Sequence, residues 1–344
     1  MGWKEIHSLF RDNKMKLTFK DVGQGDSILL EWIDGGVSKI GIIDCNRTLR
    51  KNPVLEHIKG TGYRNIEFIL LSHPHIDHYS GMVELLTYLE KEKIPIDSFG
   101  HTLHLLATDY YKYLDGAEVG TEAKRELESL IDKVDILRKK GIIRKIDFIV
   151  EGTSIDITDD VVLNCLSPGS SEASIYMKAV DLEPIKNKTR ASQSANHLST
   201  IFKLTIGEKY HLLTSDSETL TFDRLIREKK GYETLMKKEL EVCQVPHHGA
   251  SRNYHPSFWQ DIKRISKPQA VVSAGLHETY KHPHLSVLIG FHERGYTIHS
   301  TNIVYGMMEF ASYLKMLSDA TDKLDTFSDF DHSHTGGDKT FDLI

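Results

Sequence analysis

The stretch Ser72-His73-Pro74-His75-Ile76-Asp77-His78 decides how the rest of this chain is read. It follows Phe68-Ile69-Leu70-Leu71, an apolar run of strand length, and precedes Met82, Leu85, Leu86 and Leu89, which recur at helical spacing. His73 and His75 are two residues apart, so on extended chain both imidazoles leave the same face and can share one ion. Pro74 stiffens the link between them. Asp77 and His78 open the following helix, where a second ion can sit beside the first. Imidazole and carboxylate without thiolate suit Zn²⁺, Mn²⁺ or Fe rather than a soft-metal site. With 19 His in 344 residues, three His and one Asp at these positions would arise by chance in only about a few chains per thousand.

The composition around this stretch is that of an ordinary globular chain, 40% hydrophobic and 27% charged, with enough apolar residues for a sizeable core. Cys45, Cys165 and Cys243 lie far apart and form no C-x-x-C pair, which points away from a disulfide framework or a zinc ribbon. No secretory segment and no apolar run near 18 residues is present, so the expectation is a cytoplasmic protein with no membrane partner. The net charge of −6 is concentrated at the end: residues 318–344 carry seven Asp against two Lys, and the rest is near neutral. An acidic total therefore leaves room for a locally basic groove that meets a polyanion.

Upstream, residues 1–15 read as an N-terminal extension, and the body spans 16–317. Two extended runs around Leu17-Thr18-Phe19 and Ser27-Ile28-Leu29-Leu30 are joined by Val22-Gly23-Gln24-Gly25-Asp26. That turn reads either as a plain hairpin or as an anion-binding concavity of exposed N–H groups, with Gln24 facing substrate. Ile40–Asp44 is a buried-type strand whose terminal Asp44 is placed to orient a ligating histidine. Cys45 reads as a small buried residue rather than a nucleophile. Residues 94–146 form a helical insertion, with Leu127, Leu130, Ile131, Val134 and Leu137 at helical spacing. Arg138, Lys139 and Lys140 follow, either as a solvated helix end or, in Lys139 and Lys140, as a phosphate-contacting rim. His101, His104, Tyr110, Tyr111 and Tyr113 read as packing or as part of a lid. Residues 167–195 are a polar excursion, Thr200–Thr205 and Tyr210–Thr214 a hairpin across Gly207, and 296–310 a closing strand pair. The 318–344 tail is acidic, lacks periodicity and reads as disordered, with His332-Ser333-His334 of no catalytic meaning.

Downstream strands deliver further donors: Asp216 after one, His247 and His248 after another. Counting ligands gives one expected arrangement, in which His73 and His75 hold metal one, Asp77 and His78 hold metal two, Asp216 bridges and His247 completes metal two. Two such ions ~3.5–4 Å apart bind a bridging hydroxide and clamp the attacking and leaving oxygens of a hydrolysis. Which of His247 and His248 ligates stays open.

These residues resemble the metallo-β-lactamase superfamily and, within it, the nuclease-like domain of ComEC-type competence proteins. The resemblance rests on Asp21-Val22-Gly23-Gln24-Gly25-Asp26-Ser27, Ile43-Asp44, Ser72 to His78, Asn196 to Ser199, Leu212 to Asp216, Val245 to Ser251 and Tyr280-Lys281-His282-Pro283-His284. It implies an α/β chain folded as an αββα sandwich, two divalent metal ions (Zn or Mn), and phosphodiester hydrolysis of a nucleic-acid substrate, DNA or RNA. It further implies Asp77 and His282 as catalytic residues and Asp26, Asn196 and Asp44 as groups that orient the ligands. His282 would contact phosphate or protonate the leaving group. The chain departs from the pattern at Tyr79-Ser80-Gly81, at Ser215, which stands where a glycine is usual, and in lacking a clear third histidine for metal one. His197 is the candidate for that place. The alternatives are a hydrolase of small esters, thioesters or phosphorylcholine-type substrates, and a non-catalytic binding scaffold.

Overall fold

The computed structural model describes residues 14–48, 50–102, 121–180, 193–228, 230–321 and 336–343. Strands β1 (Met15–Phe19), β2 (Ile28–Asp34), β3 (Val37–Ile43), β4 (Ile66–Leu71), β5 (Ile96–His101) and β6 (Ile143–Phe148) belong to one sheet. Strands β7 (Ser154–Thr158), β8 (Val161–Ser167), β9 (Ile201–Ile206), β10 (Lys209–Leu213), β11 (Glu239–Gln244), β12 (Arg264–Val272) and β13 (Thr297–Ser300) form the other. A last strand, β14 (Lys339–Leu343), returns to the first sheet and pairs antiparallel with β1. The orders are β14-β1-β2-β3-β4-β5-β6 and β13-β12-β11-β10-β9-β8-β7.

Side-chain alternation explains the layering. In β2, Ile28, Leu30 and Trp32 enter the core between the sheets while Leu29 points to the opposite face; in β4, Phe68 and Leu70 point inward while Ile69 and Leu71 point out. Both faces are therefore apolar, which is why these strands read as continuous hydrophobic runs. The outer face of the first sheet is covered by helices Pro53–Thr61, Met82–Lys91 and Thr121–Lys139. That of the second carries Phe222, Phe258, Trp259, Leu288, Phe291 and Phe310 from helices Thr219–Glu228, Pro256–Asp261, Leu285–His292 and Gly306–Thr321. The result is an αββα sandwich with three apolar cores, in which each fully buried large side chain contributes about 1.5–3 kcal/mol. The helix Pro53–Thr61 shows how local the signals are: Asn52 accepts from the Leu55 N–H, Pro53 opens the first turn, and Gly62 closes it at φ 72°.

In the first sheet β3, β4, β5 and β6 run parallel, and in the second β10, β11, β12 and β13 do. The turns after β3, β4, β10, β11 and β12 thus emerge at the carboxyl ends of parallel strands, where such sheets collect functional side chains.

Three expectations change. The segment 94–146 is bounded by β5 and β6, so its helix is the crossover between two sheet strands rather than an appendage. The closing strand pair expected over 296–310 is one strand followed by the helix Gly306–Thr321, because Met307, Phe310 and Leu314 recur at helical spacing and cover the second core. The 318–344 tail is not disordered throughout: β14 is held by the β1 register, by an ion pair of Lys20 with Asp338 at 2.5 Å and by the Asp21 N–H donating to Asp338. A short strand of this kind carries no periodicity long enough to announce itself. Residues 1–13 of the extension, His104, Tyr110, Tyr111, Tyr113, His332 and His334 lie outside the described residues. Among the described residues no helix is long and apolar enough to cross a membrane.

Candidate metal centre

The site is built from both sheets. Strand β4 ends at Leu71, and the turn that follows presents His73 and His75 before the single helical turn Ile76–Tyr79 carries Asp77 and His78. Backbone bonds fix this turn to its neighbours: Cys45 N–H donates to the His78 carbonyl, and Asp26 N–H to that of Asp77. Gly25 permits the second contact, since at φ 125° a Cβ there would sit 2.2 Å from the Asp77 oxygen and the Asn46 side chain. Asn46 in turn donates to the Gln24 carbonyl, so the glycine turn is a joint between the β1–β2 connection and the metal motif. Gln24 lies half-buried at that joint, with its backbone N 2.0 Å from where a Cβ on Gly275 would fall.

Asp216, after β10, reaches in from the second sheet and its two oxygens face different partners. Oδ2 lies 3.7 Å from His73 Nε2 and 3.4 Å from His247 Nε2. Oδ1 lies 3.6 Å from His78 Nε2 and 3.4 Å from His248 Nε2. His75 joins the first group through a 3.1 Å approach of its Nδ1 to His73 Nε2. Asp77 joins the second, with Oδ2 3.5 Å from His248 Nε2 and Oδ1 3.8 Å from His78 Nε2. Two sets of donors, Asp26–His78–Asp216–His248 and His73–His75–Asp216, each gather within 4.8 Å.

The donor set fits divalent cations. In the first of those sets Asp26 Oδ1, His78 Nε2, Asp216 Oδ1 and His248 Nε2 are all buried without a hydrogen-bond partner. Four buried polar atoms left without partners in one donor group are costly unless something there satisfies them. Donors ~2.1 Å from a shared tetrahedral ion stand ~3.4 Å apart, close to the spacings around Asp216. Among the described residues the cysteines offer no competing chemistry. Cys45, Cys165 and Cys243 are buried, and burial pushes the Cys165 thiol up to about 12.

The electrostatics follow from burial and crowding. Burial would push Asp216 up, but His247, His248 and His78 hold it well below the usual carboxylate range. Burial likewise works against His248, yet Asp216, Asp26 and Asp77 raise it to about 9. His78 also stands well above its ordinary value: burial opposes the shift, but Asp44, Asp216 and Asp77 overcome it. Burial, with His78 alongside, holds His73 well below the usual imidazole range, the neutral form a ligand needs. Burial pushes Asp26 up, against the lowering effect of His248 and His78.

Outer contacts set the ring orientations. His78 Nδ1 meets Asp44 Oδ2 at 2.7 Å, and His248 Nδ1–H donates to the Ser273 carbonyl at 3.0 Å, so both rings turn Nε2 to the site. Gln244, unnoticed in the sequence, holds three parts together. Its Oε1 accepts from the Thr214 and Ser215 N–H groups at 2.9 Å each, leaving Nε2 to donate to Asp26 Oδ2 at 2.7 Å.

The remaining expected residues divide. His248, rather than His247, stands in the group with Asp77 and His78; His247 faces the His73 side. The inversion arises in the backbone, since both residues have positive φ, 48° and 54°. Asp26, expected to orient a ligand, is itself in a donor group. His197 is in neither donor group; burial lowers its imidazole, and its Nδ1 is buried without a partner. Asn196 donates to Glu218 Oε1 at 3.2 Å. His282 is buried, packs edge to face on His247 at 5.6 Å between centroids, and is pushed down to about 3 by burial and then by His247 and His248. It therefore presents a neutral ring at neutral pH. Lys139 and Lys140 do not approach the site. They precede β6, whose first residue pairs with the first residue of β5, while the metal motif follows the end of β4; they occupy the opposite end of the parallel strands, with Lys140 bound to Glu90 at 2.6 Å. The solvated helix end is the reading that geometry supports.

No family model and no curated protein matches the sequence. Solved structures do. The metallo-beta-lactamase fold protein YhfI from Bacillus subtilis aligns with 84% of this chain and 96% of its own, at 13% identity and a TM-score of 0.45. Zn(2+)-bound PqqB from Methylobacterium extorquens aligns over 83% and 98%, at 9% and 0.39. A diphosphatase from the PhnP family aligns over 74% and 85%, at 12% and 0.37.

Proposed function

We propose that this protein is a metal-dependent hydrolase that uses two divalent ions, Zn²⁺ or Mn²⁺, to cut phosphodiester bonds in nucleic acid. The observation that carries the reading is the division of Asp216: its two oxygens serve two imidazole groups, His73 with His247 and His78 with His248. Paired divalent ions in such a cradle acidify water and neutralise charge on the attacked group. The residues of the chain have separable tasks. Asp216 ties the two halves together, Asp44 and Gln244 fix ring and carboxylate orientation, and Asp77, partly open to solvent at 31% side-chain exposure, stands at the mouth. His282 offers an N–H from a neutral ring to an oxygen of the substrate, a hydrogen bond rather than a proton given away. No serine or cysteine nucleophile is required.

The choice of a diester over a small ester rests on the sequence, on the Gly23-Gln24-Gly25 turn and the Pro246-His247-His248-Gly249 stretch that resemble ComEC-type nuclease domains. The test is cleavage of end-labelled single- and double-stranded DNA and RNA, with bis(p-nitrophenyl) phosphate alongside, in Mn²⁺, Zn²⁺ or EDTA. EDTA-sensitive cutting that Asp77→Ala removes supports the nuclease reading. Cleavage of the small diester alone moves the substrate to a nucleotide or lipid headgroup, and no diester cleavage with any metal overturns the reading.

A further inference from the structure

The buried carboxylate of Asp44 touches one imidazole directly, but the hydrogen bonds around it continue further. Asp44 Oδ2 accepts from Ser72 Oγ at 2.6 Å, and Ser72 Oγ accepts from Ser215 Oγ at 2.8 Å. His73 Nδ1 lies 3.1 Å from Ser215 Oγ and 3.3 Å from Ser72 Oγ. The donors and acceptors in this chain can be assigned in one direction. Asp44 also accepts from the Ser72 N–H, at 2.7 Å. The Ser72 hydroxyl donates to Asp44 and accepts from Ser215, so the Ser215 hydroxyl, its one proton committed, accepts from His73 Nδ1–H.

Ser215 also sits in a conformation that disfavours it. Its φ is 45°, in the left-handed region where glycine is free of strain. A serine retained there needs a reason in its side chain, and the side chain is fully engaged.

We infer that Ser215 is a positioning residue for the metal centre: through Ser72 it extends the hold of Asp44 to His73, fixing the tautomer that leaves His73 Nε2 free toward Asp216 and His75. One carboxylate thereby orients an imidazole in each donor group, His78 by direct contact and His73 through two hydroxyls. The inference rests on the metal-binding reading for its purpose, and on geometry alone for the state of the His73 ring. The second contact to Ser72 makes the loss on removing Ser215 partial.

The test uses the metal-free full-length chain first. Long-range ¹H–¹⁵N spectra of its imidazoles, with His73 assigned by its absence in His73→Gln, should show the Nδ1–H tautomer in the wild type and a loss of that preference in Ser215→Gly. Thermal unfolding should show Ser215→Gly at least as stable as wild type, because glycine removes the strain. Competition with a chromophoric chelator should then show Zn²⁺ or Mn²⁺ bound about 10-fold more weakly by Ser215→Gly. Ser72→Ala combined with Ser215→Gly should lose less than the product of the single losses, as residues in one chain do. An unchanged His73 tautomer in Ser215→Gly, or unchanged metal affinity with multiplicative losses in the double variant, overturns the inference. A wild type that binds no divalent ion sinks the metal reading instead, and the ring spectrum still decides the role of Ser215.

Discussion

The two sheets share a plan and use it differently. Each has three antiparallel pairings followed by three parallel ones, and each sends polar residues into the site from turns after its parallel strands. The first sheet concentrates His73, His75, Asp77 and His78 in one turn after β4. The second disperses Asp216, His247 with His248, and His282 over the turns after β10, β11 and β12. A concentrated set is oriented by the strand and helix it joins. A dispersed set needs local backbone strain to aim it, and Ser215, His247 and His248 all have positive φ. The site exists only where the two contributions meet, and Gln244 and Asp216 are what make them meet.

The comparison breaks hardest at Asp216. Asp216→Ala removes a donor from both groups at once, and the expected loss of metal-dependent hydrolysis exceeds the ~100-fold that an outer contact is worth. Steady-state rates with Mn²⁺ check it, and retained full activity would remove the joint from the account. Gln244→Leu, which leaves every donor in place but frees Asp26 and the β10 turn, should weaken metal binding by about 10–100-fold without unfolding the chain. Chelator competition and thermal unfolding measure the two halves of that statement, and an unchanged affinity would make Gln244 a packing residue only.

Histidines of the site and of the strand interior also differ in what they do as pH changes. His248 and His78 stand above their ordinary values in the metal-free protein, His248 at about 9. Metal must displace those protons, so affinity should fall as pH drops, by about tenfold per pH unit below 9 for the His248 proton. Calorimetric titration in buffers of different ionisation enthalpy counts the protons; a release of none contradicts the assignment. For stability, a raised pKa means that charged His248 stabilises the metal-free fold fully below about 6.5 and that this is lost as pH rises through 9. His211 works the other way. It is buried in β10 and pushed down to about 3 by burial and by Lys209, so its contribution is present above about 6.5 and lost as pH falls toward 3. His211→Gln should therefore flatten the acid limb of the stability profile, on the order of 3 kcal/mol, while leaving the alkaline limb alone.

The smallest expected effect belongs to the far end of the parallel strands in the first sheet. Lys139→Glu with Lys140→Glu should leave substrate affinity and its salt dependence unchanged and cost little stability, as the loss of exposed ion pairs does. A flattened salt slope would bring nucleic acid to that end after all.

The unequal legibility of the sequence has the same origin as the contrast between the sheets. The donors of the first sheet could be read because strand and helix periodicity bracket a contiguous turn, so the side-chain directions of His73 to His78 follow from known geometry. For His247 and His248 the residue types were evident, but two successive positive-φ residues decide which imidazole faces Asp77, and nothing in Pro-His-His-Gly announces them. Asp26 was placed as an orienting group because its approach depends on Gly25 packing against the Asp77 carbonyl, a contact between residues 52 apart. Gln244 ends an apolar strand and carries no motif; only the meeting of Thr214, Ser215 and Asp26 around it shows its role. Lys139 and Lys140 were misleading for a related reason, since charge clustering says nothing about which end of a parallel sheet the cluster occupies.

The most direct measurement of the central claim is metal stoichiometry, by equilibrium dialysis against Zn²⁺ or Mn²⁺ followed by elemental analysis of wild type and Asp216→Asn. The account expects two ions per chain in the wild type and, at the same free metal concentration, loss from both donor groups in the variant, with the fold intact. No stoichiometric ion in the wild type, or two ions still held by Asp216→Asn with unchanged affinity, would contradict a centre assembled across the two sheets by Asp216.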